Sequence, residues 1–210
     1  MQRVTNEEEA PAFVHPSALV EAGAELGAGA KIWHDAQIRR DARVGARCIV
    51  GKGAFVDFGV TIGPDSKLQN YACVYHGVTL GRGVFVGPHV VFTNDKRPRA
   101  TAPDFGMLGD GDWEVGATTV GDGASFGAHA TVLPGVRVGS WAMVGAAALV
   151  AHDVPAYALV AGVPARRIGW VCACGARLSD EAETASPRTE CPRCGELPED
   201  HPLRKSEGFS

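Results

Sequence analysis

An aliphatic or aromatic residue stands at every sixth position over most of this chain. The series runs Val14, Val20, Leu26, Ile32, Ile38, Val44, Val50, Val56, Ile62, Leu68, Val74, Leu80, Val86 and Phe92, without an exception. Two positions ahead of each stands a small or β-branched residue, from Ala12 and Ala18 through Cys48 to Val90. A second block, Val120, Phe126, Val132, Val138, Val144 and Val150, repeats the pattern, with Thr118, Ala124, Ala130, Val136, Ala142 and Ala148 ahead of it. The period-two strands of an ordinary β-sandwich do not generate a strict six-residue series. Short strands joined at corners do, with three strands and three corners making one triangular coil of eighteen residues. The aliphatic side chain of each hexad points into the prism, the small residue sits near the corner, and Gly, Asn or Asp relieves the turn. Gly follows the aliphatic position at Gly27, Gly45, Gly51, Gly63, Gly81 and Gly87. Stacked coils bury a continuous ladder of like residues.

The ladder also serves as a ruler. The step from Phe92 to Val120 is not a multiple of six, so the intervening residues leave the repeat. The expected organisation is a flexible acidic start at 1–11, a first prism segment at 12–92, an inserted substrate loop at 93–117, a second segment with its exit at 118–170, and a zinc-binding tail at 171–210. Long loops in compact domains are usually functional. The net charge of −4 argues against a general nucleic-acid binder. MQRVTNEEEA lacks the apolar stretch of a signal peptide, and no apolar run is long enough to span a bilayer. A cytoplasmic protein with no membrane partner is the default expectation.

The tail reads CACG, a spacer, then CPRCG, and so presents Cys172, Cys174, Cys191 and Cys194. Two cysteine turns, each followed by a glycine, can deliver four sulfurs to a structural zinc ion. The first pair is spaced more closely than usual. Disulfides are the rival reading, with nothing to suggest an oxidising compartment. A free tail is the third. Four sulfurs leave no open position for catalysis by that metal. Cys48 falls in the small-residue series and is expected in the core, and Cys73 has no evident partner.

Polar residues in register with the ruler mark the candidate site. His76 lies two residues after Val74, and Asn94 two after Phe92, one full coil later. The two side chains therefore stack on one corner, with Asp95 next to Asn94 at the mouth of the loop. A histidine beside an amide and a carboxylate can take a proton from an amine and orient it. A solvated corner residue is the plainer reading of His76. His34 lies on another corner, His89 could line the cleft near Asn94, and His129 could approach a cofactor.

The runs VHPSALVEAGAELGAGAKIWH, LQNYACVYHGVTL, VFVGPHVVFTND and VPAYALVAGVPARRIGW resemble the hexapeptide-repeat N-acetyltransferases of nucleotide-linked 3-amino sugars. These act on UDP-2-acetamido-3-amino-2,3-dideoxyglucuronate or on dTDP-3-amino-deoxyhexoses. The resemblance spans about residues 13–172. It implies a left-handed parallel β-helix, a homotrimer with sites between prisms, acetyl-CoA as donor near the C-terminal coils, and a sugar nucleotide near the N-terminal coils and the loop. The family asparagine that contacts substrate matches Asn94. The family usually carries Glu in the segment where this chain has His76, which leaves His76 as either a base or a positioning group.

Direct attack of the sugar amine on the thioester is the implied reaction, and alignment of two bound substrates supplies much of the acceleration. Ala128 and Ala146 stack on one corner, where small side chains let a pantetheine arm approach the backbone. Arg166 and Arg167 are candidates for the CoA phosphates, and Lys96, Arg97 and Arg99 for the sugar-nucleotide diphosphate. A solvated surface is the alternative for each of these cations. Three rival functions remain: acyl transfer to another small acceptor, a γ-type carbonic anhydrase, and a non-catalytic β-helix assembly protein. The second needs a close histidine pair that this chain lacks, and the third has no use for His76 and Asn94 stacked under a long loop.

Overall fold

The computed structural model describes residues 10–109, 111–180 and 189–204. Most of the expected mobile start at 1–11 and part of the tail lie outside the described residues. Twenty strands of two or three residues, from Phe13–Val14 to Leu149–Val150, wind into stacked coils with three flat faces. Each strand pairs in parallel with the strand one coil away, as Ile32 does with Val50 and Val74 with Phe92. The architecture is all-β and that of the left-handed β-helix. The inward residues Ile32, Ile38, Val50, Val56, Leu68, Val74, Val86 and Phe92 are fully buried, as are their small companions Ala30, Ala36 and Ala72. Inside the prism Phe92 of the second face meets Phe126 of the first face edge to face at 5.0 Å. At the N-terminal end Val14 is 38% exposed, because no described coil lies beneath it.

The corners correct one expectation about glycine. The left-handed backbone falls two residues past the position after the aliphatic side chain. There the turns place Asp35, Asp41, Arg47, Asp65, Tyr71 and His89 at positive φ, besides several glycines. The glycines that directly follow the aliphatic residue answer a different need, which is close stacking. A Cβ on Gly45 would lie 2.5 Å from the Pro64 nitrogen of the next coil. One corner, between the third face and the first, carries such a glycine in every coil.

The phase break is an excursion from one corner. Across it the register jumps from 18 to 40 residues, as in Phe85↔Ser125, so 40 − 18 = 22 residues are inserted without disturbing the stack. The chain leaves after Val91–Phe92 and resumes at Thr118–Val120. Gly116 N–H donates to the Asn94 carbonyl at 3.0 Å, and an Asp95↔Val115 bridge closes the neck.

After Leu149–Val150 the chain forms a hairpin of strands Ala158–Ala161 and Arg166–Val171. The first strand continues the first face beside Met143–Val144. The turn between them crosses to the second face, where Leu149 N–H donates to Gly162 and Ala165 N–H donates to Leu149. Strand Arg177–Asp180 pairs with the hairpin. Residues 189–204 then bury Leu197 and Leu203. Tyr157, Trp170 and Leu178 are buried at this end of the prism, which is therefore capped. Among the described residues no helix is long and apolar enough to cross a membrane.

Candidate functional site

His76 is set by the coil beneath it. Its Nδ1 lies 2.9 Å from the Phe58 carbonyl, which can only accept, so Nδ1 carries the proton and Nε2 holds the lone pair. The ring stacks on Phe58 at a centroid distance of 4.0 Å. Its backbone N–H donates to Asp57 Oδ2 at 3.2 Å. Asp57 is buried, accepts from Phe58 N–H at 2.8 Å, and pairs with Arg39 Nη1 at 3.0 Å. Arg39 in turn reaches Glu21 at 3.4 Å. The Arg40 guanidinium lies over the Phe58 ring, 4.9 Å from its centroid. The sequence reading missed Asp57 and Phe58 as supports of His76. The same eighteen-residue step joins Arg39 to Asp57 and Phe58 to His76, so the signal was present.

The parallel register of Cys73–Val74 with Val91–Phe92 sets Asn94 one rung above His76 on this second corner. Asp95 caps its own turn, accepting from Arg97 N–H at 2.7 Å. The loop encloses a cavity of about 560 Å³ whose walls include Asp95, Lys96, Arg97, Arg99 and Trp113. The three cations predicted for a diphosphate thus share one cavity. Arg97 also faces Glu114 at 3.9 Å.

His15, His34, His89 and His129 lie on the first corner, between the first and second faces, whereas His76 and Asn94 follow the second face. His89 stacks against His129 at 4.8 Å with rings 2° from parallel, and on its other side Tyr71 lies at 5.2 Å. His89 is therefore near Asn94 in sequence but stands on a different corner of the same prism. His34 stacks on His15 at 3.5 Å nearer the N-terminal end, and borders a cavity of about 380 Å³ with Trp33, Lys52 and Asn70.

Ala128 and Ala146 also lie on the first corner, where successive coils approach closely. A Cβ on Gly127 would fall 2.5 Å from the Ala146 nitrogen. Arg166 and Arg167 lie elsewhere. They line a cavity of about 280 Å³ with His152 and Val154, at the C-terminal end of the second corner. The Arg167 guanidinium covers the Trp170 ring at 4.7 Å. The candidate donor residues are thus divided between two corners of one protomer.

The four tail cysteines converge. Their sulfurs all lie within 4.8 Å of one another, with Cys172–Cys194 at 3.4 Å and Cys174–Cys191 at 3.7 Å. A tetrahedron of sulfurs about 2.3 Å from zinc has edges of about 3.8 Å, so the set fits that ion. Gly175 and Gly195, at φ 82° and 96°, turn the two knuckles. Burial raises the Cys191 thiol. The N–H groups of Arg193 and Cys194, with the neighbouring thiols, outweigh that effect and bring it down to about 7, while the same neighbours push Cys194 up to about 12 and burial raises Cys172. Cys48 is buried within the ladder, and Cys73 lies on the second-face strand Cys73–Val74.

Residues 59–94 match the bacterial transferase hexapeptide family of six repeats, and residues 42–70 and 117–150 match the hexapeptide repeat of succinyl-transferase. The chain is 36% identical over 124 residues to serine acetyltransferase 4 of Arabidopsis thaliana, covering 58% of this chain and 28% of that enzyme. It is 48% identical over 63 residues to dTDP-3-amino-3,6-dideoxy-alpha-D-galactopyranose 3-N-acetyltransferase of Aneurinibacillus thermoaerophilus, covering 30% of this chain and 33% of the relative. Both alignments span about a third or less of the relative's length. The fold is similar to that of PerB from Caulobacter crescentus, solved in complex with CoA and GDP-perosamine. The TM-score is 0.50 at 26% identity, covering 77% of this chain and 58% of PerB. The matched repeats and the eighteen-residue parallel coil make this chain similar to the hexapeptide-repeat transferases over residues 42–94 and 117–150.

Proposed function

We propose that this protein is an N-acetyltransferase that moves the acetyl group of acetyl-CoA to the amine of a nucleotide-linked amino sugar. The observation that carries this reading is the His76 ring, tied through Nδ1–H to the Phe58 carbonyl so that Nε2 is the basic nitrogen beneath Asn94 and the loop. Nε2 takes a proton from the sugar ammonium. The freed amine attacks the thioester carbonyl, the C–N bond forms, and the C–S bond breaks. The departing CoA thiolate takes the second proton, which the attacking nitrogen sheds as the amide forms, and His76 returns the first to solvent. Asn94 and Asp95 orient the sugar, and Lys96, Arg97 and Arg99 meet the diphosphate across the loop cavity. The similarity to a dTDP-amino-sugar acetyltransferase and to PerB, solved with CoA and a GDP-linked sugar, supports this substrate class.

Ala128 and Ala146 line the path of the pantetheine arm, and Arg166 and Arg167 hold its phosphates. These pairs sit on different corners, and a closed homotrimer sets one protomer's first corner against the next one's second corner. His89 and His34, on the first corner, then face acceptor bound against the neighbouring prism. The four tail cysteines hold structural zinc. None of the six cysteines is in a disulfide, and a reducing cytoplasmic setting is the compartment this reading takes. Acyl transfer to a different small acceptor is the second reading, favoured by the similarity to a serine acetyltransferase.

The deciding experiment offers acetyl-CoA with UDP-, dTDP- and GDP-linked amino sugars, and follows CoA release and the N-acetylated product by mass spectrometry. Turnover of one sugar class with stoichiometric product is expected. No turnover across a broad amine panel, together with no CoA binding by calorimetry, overturns the enzyme reading.

A further inference from the structure

Residues 189–204 lie against the C-terminal end of the prism and make few polar contacts with it. His201 is buried, and its Nε2 bonds the Val171 carbonyl at 3.0 Å. The Tyr157 hydroxyl donates to Asp200 at 3.0 Å, and Arg193 Nη1 donates to the Cys174 carbonyl at 3.2 Å. Apart from that Arg193 bond, the two knuckles meet sulfur against sulfur, Cys172 with Cys194 and Cys174 with Cys191. Thiols donate only weak hydrogen bonds, and thiolates this close repel without a cation between them. An ion bound there supplies a cross-link that nothing else in the cluster replaces.

The position of the cluster gives that cross-link a reach beyond the tail. Cys172 directly follows the strand Arg166–Val171, whose first two residues line the terminal cavity. Val171 N–H also bonds the Tyr157 carbonyl at 2.9 Å, so the same strand end is tied to the last coil.

We infer that the four-cysteine zinc site is a clasp: bound metal holds residues 189–204 over the end of the prism and so fixes the hairpin that presents Arg166 and Arg167. The inference rests on the zinc reading above and is independent of the acetyl-transfer reading. Metal loss frees the covering segment, exposes the apolar side chains of Tyr157, Trp170 and Leu178, and lets the strand Arg166–Val171 fray from its end. The prism itself has its own ladder and keeps it, since each coil is held by its neighbours.

The test uses the whole 210-residue chain. Native mass spectrometry counts zinc per chain before and after treatment with 1,10-phenanthroline. Hydrogen exchange is then followed with metal, without it, and after ZnCl2 is returned. One zinc per chain is expected. Its removal should speed exchange of the 166–171 amides by at least about tenfold, while the strand amides of residues 31–92 stay protected, and returned zinc should restore the hairpin. Cys191→Ser combined with Cys194→Ser should reproduce the metal-free pattern without a chelator. Zinc that binds and leaves with no change at 166–171 overturns the clasp and spares the zinc reading. No zinc in the purified protein, and none taken up from ZnCl2, overturns both. An equal rise in exchange along the whole prism overturns the local clasp.

Discussion

Asp57 governs how firmly His76 is held, and its removal can be worked through from the structure. The carboxylate is 6% exposed and accepts three hydrogen bonds, from Phe58 N–H at 2.8 Å, His76 N–H at 3.2 Å and Arg39 Nη1 at 3.0 Å. Asp57→Ala deletes all three. A buried neutral hydrogen bond contributes about 1 kcal/mol net, and one to a charged group about 1.5–3 kcal/mol. The Arg39 side chain is 31% exposed and retains Glu21, so its share belongs at the low end. Because all three bonds end on a carboxylate, the total is about 4–5 kcal/mol, which for a chain of this size lowers Tm by about 8–20 °C. Asp57→Asn keeps an oxygen acceptor and should cost about 1 kcal/mol. The kinetic effect is separable from the thermal one. A base displaced by about 1 Å loses about 100-fold in rate. In Asp57→Ala, kcat should therefore fall by about 10–100-fold, while KM for acetyl-CoA is unchanged, because Arg166 and Arg167 lie at the far end of the prism. Thermal melts by tryptophan fluorescence and steady-state release of CoA thiol measure both quantities. A Tm within about 2 °C of the parent refutes the packing argument. A lowered Tm with unchanged kcat, measured well below it, refutes the positioning of His76 by Asp57.

Four further outcomes are expected. His76→Ala should lower kcat/KM by about 100–1,000-fold with Tm lowered by only about 2–4 °C for its lost bond to the Phe58 carbonyl, and an unaltered rate would remove its role as base. Gly45→Ala places a Cβ 2.5 Å from the Pro64 nitrogen, which should cost about 1–3 kcal/mol in urea unfolding; equal stability would show that the coils can separate there without penalty. Arg166→Ala should weaken CoA binding by about tenfold in calorimetry, with acceptor KM unchanged. Burial holds the His201 ring below its ordinary value of 6.5, so its neutral form contributes stability that is present above that pH and is lost as pH falls through the lower folded value. Protection of the 199–204 amides, corrected for intrinsic exchange, should accordingly fall as pH drops below 6.5, and His201→Gln should flatten that fall.

Much of the prism is legible because one side chain in six has no alternative to the interior. Ala30, Ile32, Ala36 and Ile38 reach complete burial in the order their spacing implies. The register of His76 with Asn94 follows from the same spacing. The support of His76 was harder to see, because the group that fixes its tautomer is the Phe58 backbone carbonyl, and a carbonyl has no residue type to announce it. The two uses of glycine look identical as letters. Gly45 is required by the coil above, while Gly53 sits at φ 62°, and only the fold tells them apart. The exit hairpin is aperiodic, so nothing in the chain placed Arg166 and Arg167 on a different corner from Ala128 and Ala146.

The loop between Phe92 and Thr118 departs and returns at one corner with the ladder in step on either side. Its length is therefore invisible to the core: adding or deleting residues there shifts no inward side chain out of its layer. Stability resides in contacts between adjacent coils, and the recognition proposed for the loop falls in a segment those contacts do not constrain. The loop can drift in composition at little thermodynamic cost. Such a scaffold can acquire a new acceptor by exchanging one cassette, and a graft of this loop onto another prism with the same corner would carry its own selectivity with it.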